Sequence, residues 1–228
     1  MRRVAGQHAR GVAKGLAARA IWIGVGALAF LAFSYFVLRL RGMPLVGVEV
    51  LAIAAILISD RLIEPNFGRW QRGADGERLV GTILDELAAE GWHAIHDASL
   101  GRGNIDHVAI GPGGVFTIET KSHGGRIWID SIASAMLGQA YAEKKLLERI
   151  SGERVEALLV FSRAYLVGRV PAQRRGVTVL PARMLAGYLQ RQKTKLSPTQ
   201  VRELDERLAE AFGQRAIAED EATAPLYV

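Results

Sequence analysis

Residues 104–121, NIDHVAIGPGGVFTIETK, hold two β-forming runs on either side of Pro112-Gly113-Gly114. That arrangement predicts a β-hairpin with strands over 104–111 and 115–121. Successive side chains of a strand point to opposite faces, so Glu119 and Lys121 share one face while Thr120 takes the other. A turn centred on Gly113 puts Asp106 almost opposite Thr120 and next to Glu119. Two carboxylates and an amine then converge on one patch. Magnesium takes oxygen ligands and keeps several waters, so such a patch suits it. The matching chemistry is phosphodiester hydrolysis, in which the metal acidifies a water and neutralises charge on phosphorus while the lysine orients that water or stabilises the transition state. The competing reading is a strand-initiating Asp106 beside a surface Glu119–Lys121 ion pair, which is the commoner case for an isolated triplet.

An α/β pattern surrounds the hairpin. Asp75–Gly91 places Leu79, Val80, Ile83, Leu84, Leu87 and Ala88 on one helical stripe. Trp92–Asp97 reads as a short strand and Gly101-Arg102-Gly103 as a flexible loop. Gly125–Asp130 is expected as a strand, Ser134–Ile150 as a helix, Val155–Ser162 as a strand buried on both faces, Val177–Leu180 as a strand and Pro181–Gln190 as a helix. The final helix opens on Ser197-Pro198-Thr199-Gln200, a capping box with proline at the first helical position, and runs to about Phe212. This order predicts a mixed sheet flanked by helices, followed by a loose acidic tail over 214–228.

The strings GADGERLVGTIL, NIDHVAIGPGGVFTIETKSHGGRIWID, GQAYAEKKLLE, VEALLVFS and LSPTQVRELDERL resemble, over residues 73–213, the nuclease-related domain (NERD) family of the restriction-endonuclease-like PD-(D/E)XK superfamily. The resemblance implies a three-layer α/β fold around a central mixed sheet and a metal-dependent, DNA-cleaving site. By position, Asp106, Glu119 and Lys121 match the catalytic triplet, with Asp106 and Glu119 as the ligands of magnesium or manganese. Glu77 lies where the family carries a Gly-Glu pair and is either a further metal-side carboxylate or a solvated helix residue. Gln139 matches a glutamine that relatives direct toward the site, or is a surface side chain. The family often has Asn after the lysine, whereas Ser122-His123 follows here, which puts a contact from that position in doubt. Asn104 and His107 belong to the same string. His107 is expected on the opposite face of the sheet in a packing or hydrogen-bonding role, and His93 and His96 show no ligand spacing.

Charge extends the picture to both ends of the chain. The net charge is +6, yet residues 1–19 alone carry five bases and no acid, and residues 73–228 net −1. Residues 20–38 (AIWIGVGALAFLAFSYFVL) carry no charge and as a helix reach about 28 Å, close to the hydrocarbon thickness of a bilayer. A second apolar stretch, 43–59, is interrupted only by Glu49. The expectation is a basic cytoplasmic N-terminus over 1–19, a transmembrane helical hairpin over 20–59 turned by Arg39–Gly42, and a linker over 60–72. The excess of bases before the first span then places the soluble domain in the cytoplasm, under the inner membrane of the cell. Within that domain residues 157–202 hold nine bases and no acid. Arg163, Arg169, Arg174 and Arg175 are candidates for contacting nucleic acid, most simply DNA, with attraction to anionic lipid headgroups as the other use of the same charge. No phosphate-binding loop is present, so a nucleotide cofactor is not expected. With no cysteine in the chain, thiol chemistry and Cys-ligated metals are excluded. The alternative to a nuclease is a membrane-tethered, non-catalytic nucleic-acid-binding or scaffolding module of the same fold.

Overall fold

The computed structural model describes residues 7–36, 43–99 and 104–223. They divide into two compact units, one over His8–Arg72 and one built on Gly73–Val228. The first unit holds helix α1 (Gln7–Phe36) and the N-terminal part of helix α2 (Met43–Glu86). Residues 60–72, expected as a linker, are helical and belong to α2. Among the described residues no helix is long and apolar enough to cross a membrane, so the expected two-span hairpin is not found. The charge-free run 20–38 extends past the described end of α1 at Phe36. Most of the apolar side chains described in this unit are nonetheless exposed, among them Ile21, Trp22, Leu28, Phe36, Leu51 and Leu57 at 62–74%. The link Arg39–Gly42, the loop Gly101–Gly103 and the last residues of the tail, 224–228, lie outside the described residues.

In the second unit, α2 ends in a 3-10 turn over Leu87–Glu90, and Gly91 stops it in the left-handed region that glycine favours (φ 80°). Strands β1 (His93–Ser99), β2 (Asn104–Gly111) and β3 (Gly114–Lys121) follow as an antiparallel meander. Then β4 (Arg126–Trp128), helix α3 (Ser134–Ser151) and β5 (Val155–Phe161) return the chain to lie parallel to β3. After β6 (Tyr165–Val167) and β7 (Ala172–Arg174), β8 (Val177–Pro181) pairs parallel to β5 and antiparallel to β7. The result is a mixed six-stranded sheet in the order β1-β2-β3-β5-β8-β7, with β4 and β6 forming a separate parallel pair. Helices α4 (Leu185–Gln190) and α5 (Pro198–Thr223) complete the chain.

The apolar strand β5 shows how the layers close. Leu158 and Val160 join Val80 and Leu84 of α2 and Leu185 and Leu189 of α4 in one core. Their neighbours Ala157, Leu159 and Phe161 point the other way, into a core with Leu137 and Ala140 of α3. Beneath the meander, Val108, Ile110 and Val115 pack with Leu147 of α3 and with Val201, Leu204, Leu208 and Phe212 of α5. Burial of each such side chain stabilises the fold by about 1.5–3 kcal/mol, which explains why β5 carries no polar alternation. At the hairpin turn, a Cβ on Gly111 would come within 2.2 Å of the Trp92 ring, which packs on Phe116, so only glycine fits there.

Several expectations need correction. The strand expected over Gly125–Asp130 covers only Arg126–Trp128 and turns into a 3-10 helix at Ile129. The helix expected from Pro181 starts one residue later as a 3-10 turn over Ala182–Met184 and becomes α-helical at Leu185, because Pro181 is still paired with Phe161 in the sheet. The tail expected to be loose from 214 continues α5 as a helix to Thr223, in keeping with its Ala, Glu and Gln content. The capping box at the start of α5 is reciprocal: the Ser197 N–H donates to Gln200 Oε1 at 2.9 Å and Ser197 Oγ accepts from the Gln200 N–H at 3.4 Å.

Candidate active site

The hairpin register decides where the carboxylates meet. Gly111 pairs with Gly114, leaving the two-residue turn Pro112-Gly113, and pairing continues to His107 opposite Ile118. One further step sets Asp106 across from Glu119, one residue away from the position opposite Thr120 that a turn centred on Gly113 would give. There the ladder stops. Asp106 Oδ2 accepts the Thr120 N–H at 2.7 Å, so the side chain takes the place of a strand–strand bond.

Glu119 is buried, and its Oε1 accepts from Lys121 Nζ at 2.5 Å. Lys121 Nζ also donates to Gln139 Oε1 at 3.1 Å, and Gln139 Nε2 donates to Glu143 Oε1 at 3.0 Å. Gln139 and Glu143 lie one turn apart on α3, so they present a continuous polar face to the end of β3. Glu143 was not anticipated from the sequence. Its only signal is the Gln139-x-x-x-Glu143 spacing, one helical turn on the α3 face that reaches Lys121.

The electrostatics of this cluster are those of crowded acids. The Asp106 carboxyl is held well above the usual carboxylate range, first by burial, then by the charges of Glu119 and Glu77, against the lowering effect of the Thr120 N–H. Glu143 is pushed up to about 9 by burial and by Glu119, so it is neutral near pH 7. The Oε2 atoms of Glu119 and Glu143 are both buried without a hydrogen-bond partner. Glu77 therefore acts on Asp106 through space, from the C-terminal part of α2. Gly76 beside it allows this approach: a Cβ there would come within 1.9 Å of Ser122 Oγ and 2.5 Å of Ser162 Oγ. Those two serines, bonded to each other at 3.1 Å, follow β3 and β5 and form the floor against which α2 rests.

Among the described residues no group of three or more acids or histidines is arranged to hold a metal ion. The donor chemistry still fits a hard cation. Asp106 and Glu119 are adjacent carboxylates that repel one another, Glu119 keeps a buried oxygen without a hydrogen-bond partner, and magnesium needs only one or two carboxylates plus water.

The other face of the same strands is different in kind. His107 is fully buried, and its Nδ1 lies 2.8 Å from His96 Nδ1, while His96 Nε2 lies 3.1 Å from Asp85 Oδ1. Asp85 can only accept, so the His96 proton sits on Nε2 and His107 donates from Nδ1. This leaves His107 Nε2 as a bare lone pair, in keeping with its lack of a partner. Burial, with His96 second, lowers His107 to about 3, so it is a neutral structural residue as expected. His93 bonds Asp205 of α5 at 2.8 Å, and Asn104 donates to Asp97 at 3.1 Å, where β1 takes a left-handed turn (φ 55°).

Of the candidate arginines, Arg163, Arg169 and Arg175 are exposed on the connections around β6 and β7. Arg174 differs, since its guanidinium is paired with Asp130 and its charge is partly spent within the domain.

Residues 72–166 match the family model described as the nuclease-related domain, NERD. The matched segment contains Glu77, Asp106, Glu119, Lys121, Gln139 and Glu143. An uncharacterized protein of Bacillus anthracis is 28% identical to this chain over 85 residues, covering 35% of the chain and 40% of that protein. The chain thus spans less than half the length of this curated relative. No solved structure matches.

Proposed function

We propose that the chain is a nuclease of the PD-(D/E)XK kind, hydrolysing phosphodiester bonds of nucleic acid, most simply DNA, at the end of β3. The observation that carries this reading is the bonded run Glu119–Lys121–Gln139 with Asp106 held beside it by the Thr120 N–H, assembled from three elements inside the segment that matches a nuclease-related domain. Asp106 and Glu119 would hold a magnesium ion, which supplies Lewis acidity to the phosphate and a more acidic water. Lys121 has three N–H groups, of which Glu119 and Gln139 occupy two, leaving one for a water or a phosphate oxygen. Gln139 and Glu119 fix the ammonium in place, and Glu143, neutral beside them, keeps the negative charge of the cluster down. Exposed Arg163, Arg169 and Arg175 supply phosphate-neutralising charge.

The same proposal includes attachment to the cell membrane through the first unit, with the nuclease-like domain in the cytoplasm. Its support is the charge-free run 20–38, the five bases ahead of it and the exposed apolar side chains of α1 and α2. The alternative is a tethered module that binds nucleic acid or scaffolds without cutting it. An assay of the purified full chain with magnesium or manganese on labelled DNA and RNA separates them. The nuclease reading predicts cleavage that needs the metal and is lost in Asp106→Asn. Metal-independent binding with no cleavage selects the alternative.

A further inference from the structure

The small β4–β6 sheet buries one face and leaves the other bare. Leu166 is buried in the core of α3 and β5, and Ile127 packs against the same core. Alternation therefore turns Arg126 and Trp128 of β4 outward together, and the register sets Tyr165 beside Arg126 and Val167 beside Trp128. Trp128 is 54% exposed and Tyr165 59%. The Arg126 guanidinium lies 5.8 Å from the Trp128 ring centre and 6.0 Å from that of Tyr165, within cation–π range of both.

Two large rings held this open to water forgo burial that each would gain in a core. They are nevertheless rigidly mounted, because the Tyr165 N–H donates to the Gly125 carbonyl at 2.8 Å and the inward residues are locked in the core. The mounting is tied to the catalytic strand. Trp128 lies only seven residues after Lys121, and the Ser162 N–H, three residues before Tyr165, donates to the Lys121 carbonyl at 3.0 Å. Arg163 and Arg169, both exposed, flank β6 on either side.

We infer that Trp128, Tyr165 and Arg126 form a stacking platform for unpaired bases of a nucleic-acid strand whose backbone runs to the site at Lys121. The inference rests on the proposed nuclease reading and adds the substrate class: single strands, or duplexes opened beside the cut. Flat aromatic faces take any base without reading sequence, and neighbouring arginines neutralise the phosphates between stacked bases. A closed duplex offers bases only by their edges, which these rings cannot stack on.

The test is binding of fluorescently labelled oligonucleotides to the full chain in detergent, without divalent metal, followed by anisotropy. Three probes of equal length are used: a single strand, its duplex and an abasic single strand with the same phosphates. The wild type is expected to bind the single strand more tightly than either other probe. Trp128→Ala and Tyr165→Ala should each weaken single-strand binding about five- to a hundred-fold, toward the abasic level, while Trp128→Phe keeps most of it. Unchanged binding in both alanine variants, or equal binding of abasic and base-bearing strands, overturns the platform. So does a loss confined to self-association, seen as a dimer in the wild type and a monomer in Trp128→Ala with single-strand binding intact. Cleavage by Asp106→Asn reports separately: full activity there sinks the assignment of cleavage to the end of β3 and leaves the binding result standing, whereas a failed platform leaves Asp106-dependent cleavage untouched.

Discussion

Asp106 and His107 are consecutive residues of one strand, and they live in opposite worlds. Asp106 faces Glu119, Glu77 and Glu143, and burial first, then these like charges, raise its carboxyl. His107 faces the interior, where burial makes it a neutral donor to His96. A strand alternates its side chains, so one peptide bond is enough to separate a reactive cluster from a structural hydrogen-bond chain. On the proposed reading the acidic face trades stability for chemistry, while the histidine face contributes stability alone.

Substitutions can break this contrast. A large effect is expected for Lys121→Ala, which removes the ammonium bonded to Glu119 and Gln139. Cleavage should fall roughly 10²–10³-fold, as for loss of one transition-state donor, and the melting temperature should fall too, because the buried Glu119 loses its ion-pair partner. His107→Ala should act on stability and leave the acidic face in place. A cavity in β2 and a stranded His96 on the edge strand β1 cost about 2–4 kcal/mol, measured by urea unfolding.

Gly76→Ala sharpens the contrast. Its methyl would strike Ser122 and Ser162 and push Glu77 away from Asp106, so a stability loss of about 1–3 kcal/mol should come with lower activity. Retained activity at reduced stability would show that Glu77 has no part in the site.

The contrast extends to pH dependence, where the two faces predict opposite signs. His107 is neutral in the fold down to about 3 and takes a proton at 6.5 when unfolded, so its contribution is lost as pH falls from 6.5 toward 3. Glu143 keeps its proton in the fold to about 9 but loses it at 4.5 when unfolded, so its contribution is lost as pH rises from 4.5 toward 9. Each limb has a slope of at most about 1.4 kcal/mol per pH unit. Unfolding curves across pH should show Glu143→Gln flattening the alkaline limb and leaving the acid limb intact.

Much of this contrast was legible in the sequence. The alternation of residues 104–121 gave both strands and put Glu119 and Lys121 on one face, because hairpin chemistry is local. The register was one residue off, since Pro112-Gly113 serves as a two-residue turn only when Gly111 is free to sit under Trp92, a long-range contact. Glu143 was invisible for a related reason: nothing around it on α3 reveals that the fold buries it, next to Glu119 of β3, and so keeps it neutral. The three-residue strands β6 and β7 are too short for alternation to register, and they exist because β4 and β8 offer edges to pair with.

The most direct test of the central claim is a time course of labelled DNA with the full chain and magnesium, comparing wild type, Asp106→Asn and His107→Asn. The account predicts cleavage by the wild type, none by Asp106→Asn, and cleavage by His107→Asn wherever that variant is folded. Cleavage that persists in Asp106→Asn, or that disappears in a folded His107→Asn while Asp106 is intact, would contradict the assignment of chemistry to one face and structure to the other.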